Sequence, residues 1–190
     1  MQRAFLILAG GNILWDCVSL LNEQTIDFIK SKGGLNAIAF SHPHYYSTMN
    51  EWATNFDCPI YIHKNDEQWI MNKGSHVKVW TGTERGLWDN IQIVNIGGHF
   101  PGSSILHIAA NSHNGIILCG DSLYISPSKR HIAVMHSYPN QIPLPLHEVN
   151  RIKKQIQDIE FDTMYGAFDF QNLYQNAQNI LIDSMKKYSE

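Results

Sequence analysis

The chain has 190 residues, enough to bury a sizeable core without disulfide or metal staples. Its 14 basic and 17 acidic side chains give a net charge of -3, which speaks against nucleic acid or an anionic membrane as partner. The cysteines, Cys17, Cys58 and Cys119, are scattered without CxxC spacing, and no apolar run reaches the roughly 18 residues of a membrane span, so a reduced, cytoplasmic compartment is expected.

Ala4 to Ala9 and Asn12 to Cys17 are two apolar runs separated by Gly10-Gly11, the pattern of a β-hairpin. The first run is short and leads straight into the second, so it reads as structure rather than as a secretory signal. Leu21, Thr25, Phe28 and Ile29 recur at helical spacing before Gly33-Gly34, predicting a helix over about 19–32. A buried strand over 35–40 follows, and at its end stands Ser41-His42-Pro43-His44-Tyr45-Tyr46-Ser47. Thr48-Met49-Asn50-Glu51 has the form of a capping box and predicts a helix from Ser47 or Thr48 to Phe56. Residues 59–63 form the next predicted strand and 65–72 a short helix, while 73–90, with Gly74, Gly82 and Gly86, reads as loop. Strands are predicted over 91–94, 104–108 and 116–119, the last two joined through residues 111–115. After a loop marked by Pro139, Pro143 and Pro145, Leu146, Val149, Ile152, Ile156 and Ile159 trace one face of an amphipathic helix. A strand over about 161–167 and a helix over about 172–187 complete the chain. No internal repeat or linker divides this order, which argues for one domain, residues 1–190, of two sheets covered by outer helices.

Metal-ligating side chains gather where these strands end. In an extended segment side chains alternate, so His42 and His44 project to the same side, and Pro43 biases His42 towards the extended form. His99, in Gly97-Gly98-His99-Phe100-Pro101-Gly102, follows the strand at 91–94; its glycine neighbours leave it sterically free. Asp121 follows Gly120 at the end of the strand at 116–119, and Asp16 ends the first hairpin's second strand. Taken singly, each is equally a turn former or a cap. Three histidines and an aspartate recurring after separate strands make a metal site the stronger reading.

On these residues the sequence resembles the metallo-β-lactamase superfamily, with its strand ending in aspartate (Asp16), HxHxDH loop (residues 42–47), glycine-flanked histidine (His99), GD turn (Asp121) and late station at Tyr165-Gly166-Ala167. The resemblance spans nearly the whole chain. It implies an α+β fold, the αββα sandwich of two mixed sheets covered by outer helices, with a metal site at one edge and, most often, hydrolysis. The chain starts directly at the hairpin, so the first strands usual in the superfamily are expected to be short or absent. Tyr46 and Ser47 stand where the motif has the aspartate and last histidine that help hold a second metal, and residues 165–168 lack the late histidine. The resemblance therefore implies one metal on His42, His44 and His99, with Asp121 as a fourth ligand or as the group that orients water. Three imidazoles with an open fourth position suit Zn2+, one per chain. The implied activity is zinc-dependent hydrolysis of a small ester, thioester, amide or phosphoester through a metal-bound hydroxide; a non-catalytic metal- or ligand-binding member is the alternative. A small-molecule substrate is the expected partner, with homo-oligomerisation open.

Tyr46 is the second catalytic candidate beside Asp121. A phenol with an ordinary pKa of about 10 is a poor base, but it can donate a hydrogen bond to substrate or to a developing oxyanion; the alternative is an aromatic filling the vacated second-metal pocket. Asp16 is expected to accept an N–H from a ligating histidine and fix its tautomer. Ser47 reads as a helix cap. His63 and His107 read as structural or core residues, His76, His113 and His147 as loop or helix-start residues, and Arg130 and His136 as candidates to meet substrate at the border of the pocket.

Overall fold

Strand runs that are apolar at every position, such as Ile13-Leu14-Trp15 and Ile116-Ile117-Leu118-Cys119, can be stable only in sheets covered on both faces. A computed structural model describes residues 2–110, 115–137 and 140–189; His113, most of the turn around it and Pro139 lie outside the described residues. The first half contributes β1 (Phe5–Ile7), β2 (Ile13–Trp15), α1 (Glu23–Ser31), β3 (Ala37–Ala39), α2 (Met49–Phe56), β4 (Ile60–His63) and β5 (Val77–Trp80). The five strands form one sheet in chain order, with β1 antiparallel to β2 and the remaining pairs parallel. Parallel neighbours need long crossovers, which α1 and α2 supply.

The second half contributes β6 (Glu84–Gly86), β7 (Ile91–Asn95), β8 (Ser104–Ile108) and β9 (Ile116–Gly120). Two short ribbons follow, β10 (Tyr124–Ile125) with β11 (Ile132–Ala133) and β12 (Met135–Ser137) with β13 (Ile142–Pro143). Then come α3 (Leu146–Ile156), β14 (Thr163–Gly166), β15 (Asn172–Leu173) and α4 (Ala177–Lys186). The second sheet has the order β15-β14-β9-β8-β7-β6, with β14 and β9 parallel.

Alternation assigns the side chains to layers. Ile13 and Trp15 of β2 meet Ile91, Ile93, Leu106 and Leu118 between the sheets, while Leu14 turns outward to Ile29 of α1 and to Trp52 and Ala53 of α2. On β8 and β9, Ile105, Ile117 and Cys119 turn outward to Val149, Ile152 and Ile156 of α3 and Leu181 and Met185 of α4. Each large aliphatic side chain so buried contributes about 1.5–3 kcal/mol. The layers are therefore helix, sheet, sheet, helix. Among the described residues no helix is long and apolar enough to cross a membrane.

Local structure departs from the sequence reading in several places. The glycines between β1 and β2 do not make a two-residue turn: a Cβ on Gly10 would lie 2.6 Å from Asp89 Oδ2, and one on Gly11 2.8 Å from the Trp88 ring, so they admit the chain around Trp88. The capping box at α2 does not close, because Thr48, its N-cap, turns its hydroxyl to the Val18 carbonyl (3.1 Å); Ser47 is not the cap. The helix expected over 65–72 is a 3₁₀ segment, Lys64–Trp69. The expected loop over 73–90 contains β5 and β6. Finally, α3 ends at Ile156 although Ile159 stays in its apolar layer, and β15 precedes a shorter last helix.

Candidate metal centre

Four strand ends meet at one edge of the paired sheets. β2 stops at Asp16, β3 runs on into Ser41 and His42, β7 leads to the loop of His99, and β9 stops at Gly120 before Asp121. Gly120 is required there: its φ is 52°, and a Cβ would fall 2.3 Å from Ser41 Oγ. His42 is extended, but Pro43–Tyr45 is one turn of 3₁₀ helix rather than continuing strand.

The expected ligands come together. His42 Nε2 lies 3.1 Å from His44 Nδ1 and 3.5 Å from Asp121 Oδ2. One donor atom each from His42, His44, His99 and Asp121 falls within 4.8 Å of the others. Around a tetrahedral ion with bonds of 2.0–2.1 Å, ligand atoms sit about 3.3 Å apart; the two His42 separations match this, and small side-chain rotations would close the rest of the set on one small cation. Burial, reinforced by His99 and His44, holds the His42 imidazole well below its ordinary range, and burial also lowers His44. It brings His99 down to about 4 against the opposing bond to His136. All three nitrogens therefore present lone pairs at neutral pH. Burial pushes Asp121 up to about 6, still ionised near pH 7.

Groups behind the imidazoles decide which nitrogen faces the cluster. Ser41 donates to Asp16 twice, from its amide to Oδ1 (2.8 Å) and from its hydroxyl to the carboxylate (2.9–3.0 Å). The same Oγ stands 2.8 Å from His42 Nδ1. When Asp16 is ionised and takes the Ser41 hydroxyl proton, Ser41 Oγ accepts the His42 Nδ1–H and leaves Nε2 bare towards the cluster. His99 Nδ1 likewise donates to the His136 carbonyl (3.0 Å). Asp16 is expected from sequence to accept directly from a histidine; the structure interposes the Ser41 hydroxyl between them. Asp16 is 2% exposed, and burial pushes its pKa up to about 8 against the opposing bonds from Ser41.

The loop of His99 is pinned from outside. Asp66 Oδ1 accepts the Gly102 N–H (2.7 Å), and Asn95 Nδ2 donates to the Pro101 and Ser103 carbonyls. Phe100 then lies against all three imidazoles, with ring centroids 4.8–6.0 Å away. Ser41, Asp66 and Phe100 were missed by sequence reasoning. Ser41 abuts the HPH segment and was within reach of a local argument; Asp66 carries no local signal.

Tyr46 is placed differently from its catalytic assignment. Its ring packs edge-on against Phe40 (5.0 Å) in the layer beneath α2, where burial drives its pKa upward. It does not border the cavity of about 320 Å³ that opens on His44, His99 and Asp121, but with His44 and Ser47 it lines the adjoining hollow of about 370 Å³. Tyr45 is the aromatic beside the cluster, edge-on to His42 at 5.1 Å, its buried hydroxyl without a hydrogen-bond partner among the described residues. Of the remaining histidines, His63 bonds to the Gly82 carbonyl and His107 to the Glu160 carbonyl (3.0 Å each), both as structural groups. His76 pairs with Asp57 and His147 with Glu148, away from the cluster. His136 contributes its carbonyl while its residue is exposed, and Arg130 does not border the cavity.

No protein-family model matches the sequence. It is similar to the uncharacterized protein YmaE of Bacillus subtilis (strain 168), 41% identical over 169 residues that cover 88% of this chain; the chain spans 62% of that relative's length. Solved structures agree in architecture. A B3 metallo-β-lactamase with an active-site glutamic acid superposes with a TM-score of 0.64 at 12% identity, covering 99% of this chain and 83% of that one. TTHA1623, in a di-iron-bound form, gives 0.64 at 17% identity, covering 94% and 92%. A quorum-quenching N-acyl homoserine lactone lactonase gives 0.57 at 15% identity, covering 86% and 78%. Layer order, strand topology and these superpositions agree that the chain has the metallo-β-lactamase fold.

Proposed function

We propose that the protein is a hydrolase holding one zinc ion on His42, His44 and His99, with Asp121 beside the open fourth position, and using it to activate water against a small ester, thioester, amide or phosphoester. The observation that carries this reading is the convergence of three neutral imidazole nitrogens and a carboxylate within 4.8 Å at the floor of an open cavity. When bound, such an ion supplies Lewis acidity and lowers the pKa of a water to about 7. The chain's own residues do the rest. Ser41 and the His136 carbonyl keep the protons of His42 and His99 on Nδ1. Asp121 orients the attacking water and accepts its proton. Phe100 keeps bulk water off one side of the cluster.

The β-lactamase and lactonase neighbours support hydrolysis as the reaction class. One metal rather than two is supported by Tyr46 and Ser47 in the HxHxDH loop and by the Tyr45 ring beside His42. Three free, buried cysteines support a cytoplasmic location, the order of elements supports one domain over 1–190, and the cavity of about 320 Å³ supports a small molecule as partner.

Metal analysis of the purified protein tests the site: about one zinc per chain is expected, lost in the His42→Ala/His44→Ala double variant, and two tightly held metals contradict it. Chromogenic esters, thioesters, lactams and phosphodiesters, run with and without chelator, test the activity. Zinc retained without chelator-sensitive turnover of any class would assign the protein to binding instead.

A further inference from the structure

The donor cluster follows the end of β3, and β3, β4 and β5 are parallel, so the starts of β4 and β5 lie at the opposite edge of the sheets. A cavity of about 650 Å³ opens there. Asp57 precedes β4, Ser75 and His76 precede β5, and these line it together with Tyr61 of β4, Lys78 of β5 and Arg85 of β6. It reaches the outer strand of each sheet, β5 of the first and β6 of the second. Among the described residues it shares no lining with the hollows that border His44.

Two cations meet in this cavity with no anion between them. The register sets Lys78 beside Tyr61, so their side chains leave adjacent strands on the same face. From the other sheet, the Arg85 guanidinium lies over the Tyr61 ring, 4.1 Å from its centroid. One ring thus has a cation beside it and a cation above it. Among the described residues neither Lys78 nor Arg85 has a carboxylate partner, and Arg85 Nε is buried without an acceptor. The one carboxylate of the cavity, Asp57, has a side chain 98% exposed and turns to His76 (3.3 Å). In a chain with 17 acidic side chains, two adjacent cations left without one of them make an electropositive spot that an anion would neutralise.

The donors select the anion. Stacking on Tyr61 fixes the guanidinium plane, and its fork of N–H groups matches two oxygens of a phosphate or carboxylate. Lysine acts as a point charge and suits a further oxygen, and the Ser75 hydroxyl adds a neutral donor at the rim. A carboxylate brings one negative charge, whereas a phosphate monoester carries about two at neutral pH, the number that Lys78 and Arg85 balance. A polyanion such as a nucleic acid needs a longer row of cations, and here the acidic Asp57 and Glu84 flank the pair.

We infer that this cavity binds a phosphate group, free or as a monoester, with Arg85 and Lys78 as its anchors and Tyr61 as the platform that holds the guanidinium. The anchors belong to different sheets, so the bound anion joins the outer strands β5 and β6 at the edge away from the donor cluster. The inference is independent of the chemistry at the metal centre.

Inorganic phosphate, glycerol phosphate and acetate, with chloride balancing the ionic strength, are titrated into the protein as purified and followed by ¹H–¹⁵N NMR. Saturable shifts at Tyr61, Lys78 and Arg85 are expected with both phosphates, about tenfold tighter than with acetate, the effect of a second charge-assisted contact. Lys78→Gln, a change at an exposed position, should weaken phosphate about tenfold. Arg85→Lys keeps the charge but loses the fork and should weaken it as much, about tenfold. Comparable affinities for the two phosphates would identify a monoester site, and inorganic phosphate bound about tenfold tighter would identify a site for the free ion. Shifts confined to the residues around His44 and His99, phosphate bound no tighter than acetate, or an unchanged affinity in Lys78→Gln would overturn the inference.

Discussion

Replacing Ser41 by alanine removes one oxygen atom and leaves two buried atoms, Asp16 Oδ2 and His42 Nδ1, without a partner. Ser41 is fully buried, Asp16 keeps only the Ser41 N–H, and His42, 1% exposed, has no other acceptor for its Nδ1–H. An unsatisfied buried polar group costs about 1–3 kcal/mol, so the two together cost about 2–6 kcal/mol of fold stability. At roughly 2–4 °C per kcal/mol for a chain of this size, the metal-free variant should melt on the order of 10 °C lower. The effect on zinc is separate. Loss of the group that orients a ligand lowers metal affinity about 10–100-fold, because His42 can then carry its proton on the nitrogen the ion needs. Competition with a chromophoric chelator at 15 °C, where both proteins are folded, measures this directly. Ser184→Ala is the control: its buried hydroxyl accepts from Ile132 N and donates to the Ile180 carbonyl on the opposite flank of the second sheet, so it should lose stability and keep zinc affinity. A Ser41→Ala protein binding zinc within twofold of wild type would refute the orienting role.

Asp16 titrates near 8 when folded against 3.8 for the model carboxyl, so the metal-free fold holds this proton more tightly than the unfolded chain. Its contribution is complete below about pH 4 and is lost as pH rises through about 8, so in urea melts Asp16→Asn should gain on wild type across that window; a flat difference contradicts this. Asp66→Ala strands the Gly102 N–H and releases the loop of His99, and should weaken zinc binding about tenfold by chelator competition. Unchanged affinity would mean that the loop is held without it. Tyr46→Phe should leave turnover of any active ester within twofold, since its ring belongs to the layer beneath α2; a tenfold fall in kcat would return Tyr46 to the chemistry.

The strands that were readable from sequence are those covered on both faces. β7, β8 and β9 lie inside the second sheet; β9 is an unbroken apolar run, and Gln92 and His107 are the sole breaks within the apolar stretches of β7 and β8, whereas β5 and β6 are edge strands, and Lys78, Glu84 and Arg85 interrupt their pattern. The donor residues were legible because each follows a strand end directly. Their supports were not: a backbone carbonyl such as that of His136 has no sequence signature, and Asp66 meets Gly102 only through tertiary folding. The exchange of Tyr46 for Tyr45 has a geometric cause. An extended reading places residues 42, 44 and 46 on one side, but in a 3₁₀ turn residues three apart eclipse, which brings Tyr45 over His42 and sends Tyr46 to the core.

The donors come from both sheets: His42 and His44 follow β3 of the first, while His99 and Asp121 follow β7 and β9 of the second. An ion held by the three imidazoles, with Asp121 beside it, is therefore a clasp between two halves of the chain that no disulfide joins, since all three cysteines are free. Its affinity is also cohesion: at a free concentration a thousand times Kd it adds about 4 kcal/mol to folding, comparable to a disulfide. Chelation should then unfasten the sheets at this edge first, and metal supply would govern how long the folded chain survives as well as what it can do.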